Sequence, residues 1–247
     1  MLKKYPFVLL PFLLLVQDSG FVDGRGNDGF AVVELFTSEG CSSCPPADLL
    51  LTKIIDETGS AQRIYCLSFH VDYWNYIGWK DPYSDKSYSE RQRRYSQSFL
   101  SGRIYTPQMV VNGTSEFVGS SESEARKAID AALRQSHAEL LTVTSMEVEN
   151  GRVTASFDFK GPERKYLLNI ALVERGLAQR VTRGENSGRK LTHDNVVRVL
   201  QTTEIPSAQK GKLTLTMPAD ANPASCSVIA YAQTENMKVV AATERRL

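Results

Sequence analysis

Thr37-Ser38-Glu39-Gly40-Cys41-Ser42-Ser43-Cys44-Pro45-Pro46-Ala47-Asp48 is the stretch from which the rest of this chain can be ordered. Before it runs Phe30-Ala31-Val32-Val33-Glu34-Leu35-Phe36, with the β-branched and aromatic content of a buried strand. After it, Leu49, Leu50, Ile54 and Ile55 recur at helical spacing, with Gly59 as a stop. Two cysteines separated by two residues lie about one helical turn apart, so their sulfurs can join, and unpaired backbone N–H groups at a helix start stabilise a thiolate. Pro45 and Pro46 suit a first turn, where a missing N–H costs nothing. Redox exchange, metal binding and a structural staple are all open to such a pair. A closed zinc site would need a second Cys-x-x-Cys or a His pair at ligand spacing, and neither is present.

The 247 residues, 42% hydrophobic and 23% charged, have the composition of a folded globular protein. Twenty-nine Lys and Arg balance 28 Asp and Glu, so no global field favours nucleic acid, which is excluded as an expected partner. Residues 1–20 differ from the rest: Lys3 and Lys4 precede an apolar run from Tyr5 to Val16 and then polar residues. That is the pattern of a signal peptide or N-terminal anchor, too short for a comfortable membrane span. The expectation is a periplasmic or secreted protein, with membrane attachment only through this segment, in a compartment where Cys41 and Cys44 pair as a disulfide. Cys66 and Cys226, each in an apolar run, read as small buried hydrophobes.

Further along, Arg63 to Val71 predicts a second strand ending in Phe69-His70-Val71-Asp72-Tyr73-Trp74. His70, at its carboxyl end, is expected on the same sheet edge as Cys41, to stabilise a thiolate or shuttle a proton. Residues 73–103 form an excursion rich in Tyr, Trp, Ser and Arg, with Trp74 available to floor a groove and Arg91, Arg93 and Arg94 on a solvated helix face. Thr106-Pro107 opens a strand that leaves through Asn112-Gly113, and a helix follows over 122–137. From Leu140 the pattern changes to seven short strands, suggesting an antiparallel sandwich, with extension of the first sheet as the alternative. Within that half, Gly184 to Asn195 is a dense polar loop suited to contacting the first half or a partner, or to plain hairpin chemistry.

The motif Glu34 to Asp48, the segment Phe69 to Trp74, the run Tyr105-Thr106-Pro107-Gln108-Met109-Val110-Val111-Asn112-Gly113 and Gly184-Glu185-Asn186 together resemble an exported bacterial family of unknown function with a thioredoxin-like domain. The resemblance implies an α/β thioredoxin-like domain over residues 30–138, with 73–103 inserted, followed by a smaller all-β, sandwich-like domain over 140–247. It implies Cys41 as exposed nucleophile, Cys44 as resolving thiol, and a cis Pro107 whose neighbour Thr106 pairs with bound substrate. Glu34 falls near the buried carboxylate of such domains, one residue out of register, and would serve as a general base. No cofactor is implied. The expected partners are protein thiols or disulfides and a redox partner protein, and the alternative is a non-catalytic binding module with a structural disulfide.

Overall fold

Ala31–Thr37 forms β1, buried at every residue. A strand buried on both faces needs cover above and below and partners at both edges. β1 runs parallel to β2 (Ile64–His70), with Thr37 opposite His70, and antiparallel to β3 (Gln108–Val111), with Leu35 opposite Met109. β4 (Ser115–Val118) pairs with β3 at the sheet's edge. The period of two divides β1 between two layers. Ala31, Val33 and Leu35 pack with α1 (Pro45–Glu57) and α3 (Glu122–Leu133), whereas Val32 and Phe36 pack with Tyr88 and Tyr95 of α2 (Lys86–Ser98). The computed structural model describes residues 29–58 and 62–247. The signal or anchor reading of residues 1–20 and the helix stop at Gly59 fall outside them.

The C-terminal half contributes β5 (Leu140–Glu149), β6 (Arg152–Lys160), β7 (Tyr166–Glu174), β8 (Leu177–Arg180), β9 (Lys190–His193), β10 (Val196–Ile205), β11 (Ala208–Thr216), β12 (Cys226–Gln233) and β13 (Val239–Arg246). Four of these continue the first half's sheet, in the order β13-β12-β7-β10-β2-β1-β3-β4. The join is the parallel pairing of β10 with β2 at Val196 and Ser68, reinforced by Ser68 N–H donating to Asn195 O and Asn195 Nδ2 donating to Cys66 O, both at 2.9 Å. A three-stranded sheet, β11-β6-β5, lies against its far end and shares a core with β7 and β12. The short pair β8-β9 stands apart from both sheets.

This architecture overturns the expected α/β thioredoxin-like domain followed by a separate all-β sandwich. The molecule is mostly β, with one mixed eight-stranded sheet and three helices among the described residues. The physical reason lies in β7 and β12. A sandwich strand buries one face and alternates, as β6 does, but β12 is buried at all eight positions and β7 at all but one. Such strands belong in the interior of a large sheet.

Residues 73–103 pack rather than dangle. Asp85 caps α2 by accepting from Ser87 N–H, and Tyr88 donates to Val197 O at 3.0 Å, tying the excursion to β10. Arg93 and Arg94 are exposed as expected, but Arg91 is buried.

Candidate functional site

At the end of β1 the chain turns through Ser38, whose hydroxyl accepts from Gly40 N–H at 3.1 Å, and enters α1 at Cys44. Pro45 and Pro46 occupy the first helical turn, and the N–H groups of Ala47 and Asp48 donate to Cys44 O at 2.8 and 3.1 Å. Cys41 and Cys44 are joined as a disulfide with their Cα atoms 5.4 Å apart. Ser42 and Ser43 between them are exposed, yet both cysteines are 0% exposed. The expected exposed position for Cys41 is therefore corrected.

The cover comes from the other half of the chain, from the loop between β8 and β9. Asn186 Nδ2 donates to Glu39 O and to Cys41 O, both at 2.9 Å, and Glu185 Oε2 accepts from Ser42 N–H at 3.0 Å. Asn186 is itself held through Oδ1 by Arg189. From the opposite side Ile77 and Trp74 close on Gly40, where a Cβ would meet each at 3.2 Å. Asn186→Ala would strip a donor from two buried carbonyls. The expected cost is about 1–3 kcal/mol, read as a lower urea midpoint at unchanged m-value.

Beside the disulfide lies a cluster of buried ionisable groups. Glu39, two residues before Cys41, and Asp48, one helical turn beyond Cys44, bracket the pair, and both are buried. His193, at the end of β9, lies between them: its Nε2 is 3.3 Å from Glu39 Oε1 and its Nδ1 3.8 Å from Asp48 Oδ2. Burial disfavours a charged imidazole, but the carboxylates of Asp48 and Glu39 outweigh it and push His193 up to about 10. Trp79 Nε1 donates to the other Glu39 oxygen at 2.8 Å. His70 pairs with Asp81, Nδ1 to Oδ2 at 2.7 Å, and the same oxygen accepts from Glu39 N–H at 2.8 Å. Burial would raise the Asp81 carboxyl, but pairing with His70 and the N–H donors of Glu39 and Tyr83 hold it below the ordinary carboxylate value. The His70 and His193 rings meet edge to face at 4.7 Å. Among the described residues, no three His, Cys, Asp or Glu side chains converge as a metal site.

The structure brings some of the predicted residues to the cysteines and removes one. His70 reaches the motif through Asp81. Trp74 Nε1 donates to Thr106 Oγ1 at 2.7 Å, so Trp74 links Gly40 to Thr106. The Thr106–Pro107 bond is cis, and Gly119 fits between Pro107, Leu35 and Ala47 of α1. Glu34 is the correction. It shares the face of Val32 and Phe36, toward α2, while α1 covers the opposite face. One residue of register turns a strand side chain to the other side of the sheet. There its carboxylate accepts from Arg91 Nε at 2.6 Å, from Arg91 Nη2 at 2.9 Å and from Tyr95 OH, which leaves no base for a thiol.

Sequence reasoning missed Glu39, Asp48, Asp81, Asn186 and His193 as site residues, although the dense polar loop at 184–195 was the signal for the last two. Cys66 and Cys226 are unpaired and buried, and burial pushes both thiols up, Cys226 to about 11, so neither is a thiolate at neutral pH. Both line a separate polar cleft of about 740 Å³ with Arg63 and Arg175, which shares no residue with the disulfide site.

Two solved structures resemble the whole arrangement. Protein AGR_C_4864 from Agrobacterium tumefaciens is 28% identical, with a TM-score of 0.65 over 87% of this chain and 92% of that one. HBP35 of Porphyromonas gingivalis, at 14% identity, has a TM-score of 0.62 over 89% of this chain and 76% of that one, and shows the fold alone. Both likenesses cover more of the chain than either half. No curated protein matches the chain. A family model described as "Protein of unknown function (DUF1223)" matches residues 32–233, which include the cysteine motif, His70, Thr106-Pro107, Asn186 and His193, and the chain belongs to that family.

Proposed function

We propose that this chain is a thiol–disulfide oxidoreductase whose reacting couple is Cys41–Cys44 and whose substrate is a protein dithiol or disulfide. The supporting observation is the disulfide itself, formed across three residues at a helix N-terminus. As a staple it achieves little: closing so short a loop removes roughly 2 kcal/mol of chain entropy, against about 4.7 kcal/mol for a 100-residue loop. As a redox couple the position is favourable, because the positive end of the α1 dipole stabilises the thiolate released when the bond opens. In the oxidising direction a substrate thiolate attacks Cys41 Sγ, a mixed disulfide forms and Cys44 leaves as a thiolate that takes up a proton. The second substrate thiolate then attacks the substrate sulfur of the mixed disulfide and releases Cys41. Two electrons pass from the dithiol to the pair, and no further oxidant enters that turnover. The basic-then-apolar segment at residues 1–20 supports an exported setting, where such a pair rests oxidised.

Burial of both sulfurs favours the competing reading, a binding module with a structural disulfide. A trapping experiment separates the two. Cys44→Ala leaves Cys41 as a free thiol with no resolving partner, and incubation with disulfide-bonded insulin is expected to accumulate a mixed disulfide visible as a mass adduct. Cys41→Ala should give none. Absence of an adduct in both variants, with both folded, would leave the structural reading standing.

A further inference from the structure

Two carboxylates bracket the disulfide, and their negative charge opposes any thiolate formed there. Glu39 is buried two residues before Cys41. Asp48 is buried one turn after Cys44, on the same helical face, its N–H bonded to Cys44 O at 3.1 Å. Both lie against one imidazole, His193, only 1% exposed. Neither nitrogen of that ring makes a well-aligned hydrogen bond among the described residues, and Glu39 Oε1 and Asp48 Oδ1 likewise lack one. Ion-pair contacts at 3.3 and 3.8 Å join the three.

Other titratable groups face the ring from the elements packed against it. His70 faces it edge-on at 4.7 Å and is itself bound to Asp81, and Tyr83 lies at 6.3 Å, with Arg198 beyond Tyr83 at 5.4 Å from its ring. Asp194, next in the chain, turns away to Thr52, Arg175 and the Gly176 N–H.

We propose that the imidazolium of His193, delivered by β9 from the C-terminal half, is the counter-charge of the Cys41–Cys44 couple, offsetting Glu39 and Asp48 so that a thiolate can form when the disulfide opens. The inference rests on the reading of that disulfide as a reacting couple. It makes His193 a positioning residue: it acts on the sulfurs through the local field, and it ties the redox site to the half of the chain that also supplies the Asn186 cover. When a substrate thiolate opens the bond, the electrons go to the released sulfur, and His193 keeps its proton while stabilising that charge.

The test compares the full-length wild type with His193→Gln after reduction by a phosphine, following thiolate formation by ultraviolet absorbance across pH. Cys66 and Cys226 ionise only at strongly alkaline pH and stay out of the neutral range. In His193→Gln the first thiol titration is expected to move up by at least one pH unit, about a tenfold loss of thiolate at pH 7. A folded variant whose thiol titration coincides with that of wild type overturns the proposal. Should the variant not fold, the wild type carries the test. Linkage is reciprocal, so the His193 imidazole, followed by NMR, must hold its proton to a higher pH in the reduced protein once the thiolate has formed than in the oxidised one. Identical His193 titrations in the two states overturn the proposal. No protein substrate enters either measurement, so the result is independent of the insulin trap.

Discussion

Glu34→Ala is expected to destabilise the protein by about 3–5 kcal/mol, because it leaves a guanidinium buried without its counter-charge. Arg91 is only 4% exposed and lies among the rings of Phe69, Tyr95 and Tyr231, at 5.5, 5.2 and 5.3 Å from their centroids. Its charge is satisfied by the two contacts to Glu34, and Gln233 Oε1, Tyr95 OH and Asn169 Oδ1 accept further bonds at 3.0, 3.2 and 3.4 Å. Removing the carboxylate cannot be repaired by water in that setting. Glu34→Ala also deprives Tyr95 OH of its acceptor. The double variant Glu34→Leu with Arg91→Met removes both charges and fills similar volume, so it should recover most of the loss. Urea unfolding of the single and double variants decides the matter. A single-variant loss below about 1 kcal/mol would mean that the ion pair is more hydrated than its burial implies.

That ion pair also shows where reading from sequence stops. Local pattern is enough to place β1, the start of α1 at Pro45, the turn at Asn112-Gly113 and the cysteine pair, because each depends on residues within one turn or one strand. Arg91 reads as solvated alongside Arg93 and Arg94, and its partner Glu34 is 57 positions away. For Glu34 the deciding fact was which face of β1 the cysteine helix covers. The run that became β7 reads equally well as a sandwich strand or a sheet interior until the pairing of Val196 with Ser68 is known. The polar loop at 184–195 was recognisable as unusual, but its target was not. Asn186 reaches the motif across 145 positions of sequence, a separation that no periodicity encodes.

Between pH 6.5 and about 8.5 the wild type should lose about 2–3 kcal/mol of stability, and the charge on His193 is the reason. Its folded value, pushed up to about 10, exceeds the unfolded value near 6.5, so the folded state binds more protons across that interval. The stabilisation is fully present below pH 6.5 and is lost as pH rises toward 10, with a limiting slope of about 1.4 kcal/mol per pH unit. Asp81, His137 and the raised thiols and phenols act mainly outside this window. Asp81, held below its ordinary value, contributes above about pH 4 and loses that contribution in acid. His137, pushed down by burial, has its effect below pH 6.5. Cys66, Cys226 and the buried tyrosines, all raised by burial, destabilise as pH climbs past the ordinary thiol and phenol values, above about pH 8.5. Urea midpoints at pH 6.5, 7.5 and 8.5 therefore report chiefly on His193. Most of the slope should be lost in His193→Gln, which carries no proton to lose. A wild type equally stable at all three values would mean that the imidazole is neutral between Glu39 and Asp48, and the counter-charge assigned to it would go with it.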